Sequence, residues 1–356
     1  MADGTEVDLL VWGQTQSGEA VALFTLSSAA ATVKVATYGA RLTSIRTLDR
    51  DGAMGEVTLG SDELTPYLTG KGYLGAAIGR FGNRIAGKFV LDGKTWQLPL
   101  NNGPNCLHGG TVGFDHKVWQ AEVVPNGVAM TYTSPAGEMG FPGTLRSTVT
   151  YTLTGSSLRV DYEAVTDAAT VVNLTNHTYF NLCGESNLGP KDLGAHTIRL
   201  NADHVTPVDV NMIPTGELRP VAGTPFDLRV PKTISLDWDS DDEQMRFAGG
   251  YDHNWVLVPP TEAGALNLAA ELADPASGRT LTVHTTEPGI QFYSGNFLDG
   301  SFPARSGGTY MRRSGCCLET QHFPDSPNHP EFPSTTLLPG ETLRSATVFA
   351  FGVASS

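Results

Sequence analysis

The residues best suited to moving protons lie in short polar segments: His177 in VVNLTNHTYFNLCG (171–184), Glu319 in GCCLETQHF and His108 in NNGPNCLHGG. A carboxylate set among apolar neighbours either pairs with a cation or has a raised pKa, and both conditions serve acid–base chemistry. Strand alternation would put Glu319 on one face with Cys317 and Gln321, and Cys316, Leu318 and Thr320 on the other. A histidine in a strand either satisfies a structural hydrogen bond or transfers a proton, and His177 and His108 fit both descriptions. The two glycines after His108 would let backbone approach a ligand closely. Arg84, following Asn83 in IGRFGNRIAG, offers five donors in a rigid fork, suited to adjacent hydroxyls or to a carboxylate of a ligand or of the core. GGYDHNWVL and TEPGIQFYSGNF add further polar residues beside glycine-rich turns.

The elements that must hold these residues read as strands. Residues 171–184 alternate, with Val172, Leu174, Asn176, Thr178, Phe180 and Leu182 in one row and Asn173, Thr175, His177, Tyr179 and Asn181 in the other. One face is expected to pack and the other to meet something wet. Asp92-Gly93 predicts a two-residue hairpin between Phe89–Leu91 and Thr95–Leu98, and further hairpins are predicted at Pro125–Gly127, Gly155–Ser157 and Pro275–Gly278. SATVFAFGV forms a last strand, and no long stretch keeps a helical period. The fold class is therefore all-β, an antiparallel meander with the inward rows of facing sheets. No repeat, linker or charge block marks a boundary, so 1–356 is read as a single domain. The acidic DWDSDDEQMRF (237–247) reads as a solvated loop rather than a short helical turn.

Composition narrows the partners. A net charge of -14 with dispersed Lys and Arg opposes nucleic acid and anionic membranes, leaving a small ligand that is not strongly anionic. No apolar run is long enough to span a bilayer, and the acidic start MADGTEVDLLVWGQ lacks a secretory pattern, so a cytoplasmic location is expected. The four cysteines lack metal-site or disulfide spacing and are expected as buried free thiols. No segment advertises an oligomeric partner, so a monomer is expected.

Taken together, GRFGNRIAGKF, NNGPNCLHGG, VVNLTNHTYFNL, GYDHNWVL, EPGIQFYSGNF and CCLETQHFPDSPNHPEFPS resemble, in order, the sugar-site segments of the aldose 1-epimerases, the galactose mutarotase family. Phe81-Gly82 departs from the β-branched residue and alanine common there. The resemblance implies a large antiparallel β-sandwich, the galactose mutarotase-like supersandwich. It also implies a monosaccharide substrate such as D-galactose or D-glucose, and no metal or organic cofactor. It casts Glu319 as the base that deprotonates the anomeric hydroxyl, His177 as the acid at the ring oxygen, and His108 as a helper. Asn83, Arg84, Asp252 and Gln291 become the hydroxyl-binding set, with Asn173 and Tyr179 as supports. Such chemistry opens a hemiacetal with one proton leaving and one arriving. Rival readings are a glycoside hydrolase, which needs two carboxyl groups flanking the bond, a non-catalytic sugar binder, and a hexose 6-phosphate epimerase, which would have to gather Arg80, Arg312 and Arg313 at the cleft mouth.

Overall fold

The computed structural model describes residues 4–184, 190–262 and 264–354; Met1–Asp3 of the N-terminal stretch lie outside them. Three antiparallel sheets dominate. Strands Glu6–Gln14, Ala20–Ser27, Ala31–Ala36, Arg41–Leu48 and Met54–Glu56 make a consecutive meander. The largest sheet has nine strands in the order Gln120–Val124, Gly127–Ser134, Leu145–Thr154, Ser157–Thr166, Leu343–Val353, Arg279–Thr285, Asn267–Ala273, Thr197–Leu200 and Lys232–Thr233. The third has six: Tyr179–Phe180, Cys316–Gln321, Gly289–Tyr293, Asp252–Leu257, Ala202–Thr206 and Arg219–Pro220.

Alternation decides which face each strand buries. In the six-stranded sheet Phe180, Leu318, Phe292 and Trp255 turn to one side and join Tyr151, Val160, Val283 and Phe349 of the nine-stranded sheet in one apolar cluster. The Phe180 and Phe349 rings lie 5.3 Å apart. Each such side chain contributes roughly 1.5–3 kcal/mol by leaving water. Leu26, Val33 and Ile45 of the five-stranded meander join the same cluster. The opposite face of the six-stranded sheet is left for polar residues.

The predicted hairpins form where the turn chemistry demands them. Asp92 and Gly93 take φ of 51° and 73° between Lys88–Leu91 and Lys94–Gln97. Asn126, at φ 60°, turns Gln120–Val124 into Gly127–Ser134. Two expectations need correction. Residues 171–184 are not one strand: Thr170–Val171, Thr175–Asn176 and Tyr179–Phe180 each pair with a different partner strand, so the polar row does not share one surface. The acidic segment holds a helix, Glu243–Ala248, because the Asp242 side chain accepts the Gln244 N–H at its start and Gly249 turns left-handed at its end. Cys106, Cys316 and Cys317 are buried free thiols, while Cys183 is half-buried. Among the described residues, no helix is long and apolar enough to cross a membrane.

One buried cation anchors the loop that carries Asn83 and Arg84. Arg80 is 2% exposed and donates to Ser134 Oγ and to the carbonyls of Ser134, Pro135, Pro142 and Gly143, at 2.7–2.9 Å. Arg80→Leu would strand those acceptors, so we expect a loss of ~3 kcal/mol or more in unfolding free energy, read by urea denaturation.

Candidate active site

The polar face of the six-stranded sheet presents two cross-strand rows. Tyr179, Cys317, Tyr293 and Asp252 lie opposite one another on successive strands, and two residues along the next row is Glu319, Gln291 and Asn254. Antiparallel register thus collects groups distant in sequence onto one surface. His177 stands just before Tyr179, fixed where its N–H donates to the Ala76 carbonyl at 2.9 Å and its carbonyl accepts from Gly75 at 2.9 Å.

His108 arrives from a turn, with φ of 51° followed by left-handed Gly109 and Gly110. The close approach that Gly109 permits is to the protein's own backbone: a Cβ there would meet the Gly79 oxygen at 2.0 Å. The pair Asn83 and His108 is doubly tied. His108 N–H donates to the Asn83 carbonyl at 3.0 Å, and Asn83 N–H donates to His108 Nδ1 at 3.1 Å. His108 therefore carries its proton on Nε2, the nitrogen left to serve the cavity.

These elements surround a cavity of about 490 Å³ lined by His108, His177, Glu319, Asn83, Arg84 and Asp252, among others. His177 Nε2 lies 3.7 Å from Glu319 Oε1, and the His108 and His177 rings meet edge to face at 5.1 Å. All three residues are nearly fully buried. Burial raises the Glu319 pKa well above the usual carboxylate value, with nearby Asp252 raising it further and Arg84 opposing. Burial lowers His177 to about 4 and His108 well below its usual value. Glu319 Oε2 has no hydrogen-bond partner among the described residues, leaving an acceptor for a ligand hydroxyl.

His108, His177 and Glu319 also place potential metal-binding atoms within 4.8 Å of one another. The proton arrangement opposes a metal there. A ligating histidine donates its second ring N–H to a neighbour, whereas His108 Nδ1 receives an N–H from Asn83 and keeps the proton on its other nitrogen.

The hydroxyl-binding candidates divide. Arg84 lies 3.7 Å from Asp252, with Arg84 Nε donating to Asn102 Oδ1 at 3.1 Å and Nη1 to Asn83 Oδ1 at 3.4 Å. Gln291 sits behind Asp252: its amide donates to Asp252 Oδ1 at 2.7 Å, and it is not among the cavity-lining residues. From the polar row of 171–184, His177 and Tyr179 line the cavity. Asn173 instead holds the Gly82 carbonyl and both backbone groups of His322, and Asn181 donates to the Ser314 carbonyl.

Tyr73, Asn102, Tyr293 and Phe297 also line the cavity and were missed by sequence reasoning. Tyr293 alternates with Gln291 and could have been found that way. Tyr73 packs 4.6 Å from His108 and 5.7 Å from His177, but it comes from an irregular turn at φ 57° that carries no periodic signal. Of the arginines considered for a phosphate site, Arg80 is consumed by backbone, Arg313 pairs with Asp239 at 2.6 Å over Trp238, and Arg312 donates to the Gly249 carbonyl. The cations lining the cavity are Lys71 and Arg84.

Because Gln291 fixes Asp252, Gln291→Leu should raise KM severalfold with little change in kcat, a split read by steady-state kinetics. Comparison with known proteins agrees with the fold. The family model described as aldose 1-epimerase matches residues 22–350. Galactose mutarotase from Rattus norvegicus is 45% identical over 346 residues, spanning 97% of this chain and 98% of that protein. Aldose 1-epimerase from Escherichia coli K12 is 40% identical over 340 residues, 94% of this chain and 96% of its own. The crystal structure of galactose 1-epimerase from Lactobacillus acidophilus superposes with a TM-score of 0.83 at 30% identity, covering 99% of this chain and 100% of that one. On these grounds the chain belongs to the aldose 1-epimerase family.

Proposed function

We propose that the protein is a mutarotase that interconverts the α and β anomers of free hexoses such as D-galactose and D-glucose, with Glu319 and His177 as the proton-transfer pair. The observation that carries this reading is the buried imidazole–carboxylate pair at 3.7 Å inside a cavity whose other walls offer hydroxyl-binding groups. Ring opening needs one proton removed from the anomeric oxygen and one delivered to the ring oxygen. Glu319 takes the first and His177 Nε2 gives the second. The ring C–O bond breaks, the open-chain aldehyde turns about its C1–C2 bond, and reclosure from the other face returns both protons. His108, with its Nε2–H, donates toward the oxygen that gathers charge. Arg84, Asn83 and Asp252 hold the sugar's hydroxyls, and Gln291 holds Asp252.

Burial disfavours both charged forms, so the pair holds one proton over a wide range of pH. One proton is what the reaction requires, because the step that opens the ring moves it across and the step that closes the ring moves it back. The pair and the hydroxyl-binding groups come from one chain, so a monomer, the state expected from the sequence, would carry a complete site. One apolar cluster drawing on residues from Phe24 to Phe351 supports a single domain. A glycoside hydrolase is less well served: the carboxylate faces an imidazole at 3.7 Å, and Asp252 is already engaged by Arg84 and Gln291.

Polarimetry of freshly dissolved α-D-galactose and α-D-glucose tests the reading. The wild-type protein should speed the approach to anomeric equilibrium, and Glu319→Gln and His177→Asn should each lose about 10²–10⁴-fold in kcat. A folded wild-type protein that leaves both rates unchanged would overturn it. The pH profile of kcat/KM supplies a second check. Below about 4, the lowered His177 value, the pair takes up a second proton and loses its base. Above the raised Glu319 value it has no proton to give. Activity should therefore form a plateau through neutral pH, with its acid limb near 4 and its alkaline limb above the ordinary carboxylate range.

A further inference from the structure

The face of His177 turned away from the cavity meets a group to which the mechanism above assigns no role. Cys317 Sγ lies 3.4 Å from His177 Nδ1, fully buried, on the same strand and same face as Glu319. One strand thus places a thiol behind the imidazole and a carboxylate in front of it. The rings of Tyr179, Tyr73 and His108 lie 5.0, 5.7 and 5.1 Å from that of His177 and restrict its plane. Ring contacts do not choose which nitrogen bears the proton. That choice falls to the partner of Nδ1, and the hydrogen bond found there is to sulfur.

We propose that Cys317 is a positioning residue for the mutarotase reaction, its sulfur accepting from His177 Nδ1–H so that Nε2 is the nitrogen that gives the reaction's proton and takes it back. The inference rests on the reading of His177 as the acid. A thiol is both a weak donor and a weak acceptor. When the imidazolium gives its Nε2 proton, the neutral ring keeps the other on Nδ1, where sulfur accepts from it, and Nε2 stands bare toward Glu319, ready to take the proton back. In the imidazolium sulfur accepts from the same Nδ1–H, so both protonation states keep a partner. Burial raises the Cys317 thiol pKa well above its usual value, so the thiol keeps its proton throughout. In the serine-protease triad this position holds a carboxylate, which stabilises the imidazolium. A neutral thiol stabilises the imidazolium less, leaving it ready to release its Nε2 proton.

The test compares Cys317→Ala and Cys317→Ser with wild type and with His177→Asn. Other groups facing His177 are Glu319, His108, Tyr73, Tyr179 and Tyr293. Asp115 and Arg41 act on it from farther off. All of these stay in place in both cysteine variants. The alanine variant should lose about tenfold in kcat with KM for galactose within about twofold, and serine should restore most of the loss. A charge-assisted bond is stronger than a neutral one, so the partner at Nδ1 matters most to the imidazolium. The acid limb of kcat/KM should accordingly lie lowest in the alanine variant, higher in wild type and highest in the serine variant. Nitrogen-15 NMR should show the His177 Nδ1 resonance, more than Nε2, displaced between wild type and the serine variant. That comparison stands if the alanine variant does not fold. An unmoved acid limb, unaltered Nδ1, or a rise in KM with kcat intact would overturn the proposal. If His177→Asn is itself fully active, the catalytic reading fails instead.

Discussion

The structure turns on the desolvation of one ionisable pair. An imidazole and a carboxylate 3.7 Å apart would trade a proton freely in water, where charge is cheaply solvated. Here both are enclosed, and each is pressed toward its neutral form. The fold's task is to hold such a pair without a neutralising cation locked against it. Arg84, the guanidinium that lines the same cavity, is turned toward Asp252, Asn83 and Asn102. Among the described residues, one Glu319 oxygen has no hydrogen-bond partner. An unsatisfied buried acceptor costs roughly 1–3 kcal/mol, a cost a hydroxylated ligand can relieve.

That cost is offset around the pair. The reverse side of the six-stranded sheet is aromatic and aliphatic, packed on the nine-stranded sheet, so the strands carrying Glu319 and Asp252 cannot shift by one residue without turning their polar row into the core. The segments that bring Asn83, Arg84 and His108 lie outside that sheet, with only the two-residue pairing of Arg84–Ile85 and Cys106–Leu107 between them. They are fixed by charge-assisted and reciprocal hydrogen bonds instead: Arg80 on five acceptors behind the loop, and the exchange between Asn83 and His108 within it.

Much of this was legible in the residues. Strand alternation placed Cys317, Glu319 and Gln321 on one face, and the Asp92-Gly93 turn marked its hairpin, because both depend on local backbone geometry. The stretch 171–184 misled the same logic. Its alternation persists while the chain passes from one pairing partner to another, and pairing is a long-range property that a local period does not encode. Gln291 shows a related limit. Its polarity marked the correct face, but whether an amide meets solvent or the back of an aspartate depends on a neighbouring strand. The helix at Glu243–Ala248 was hidden by its charge, although Asp242 and Gly249 carry ordinary capping chemistry.

The strand Leu343–Val353 has a consequence for assembly. It lies between Ser157–Thr166 and Arg279–Thr285, in the interior of the largest sheet, so the two halves of that sheet meet only through it. Residues that emerge late from the ribosome therefore complete a core begun much earlier. Until they arrive, two unpaired strand edges and their apolar faces stay open to wrong partners. The nascent chain's exposure to aggregation is thus concentrated in the interval before this strand is made.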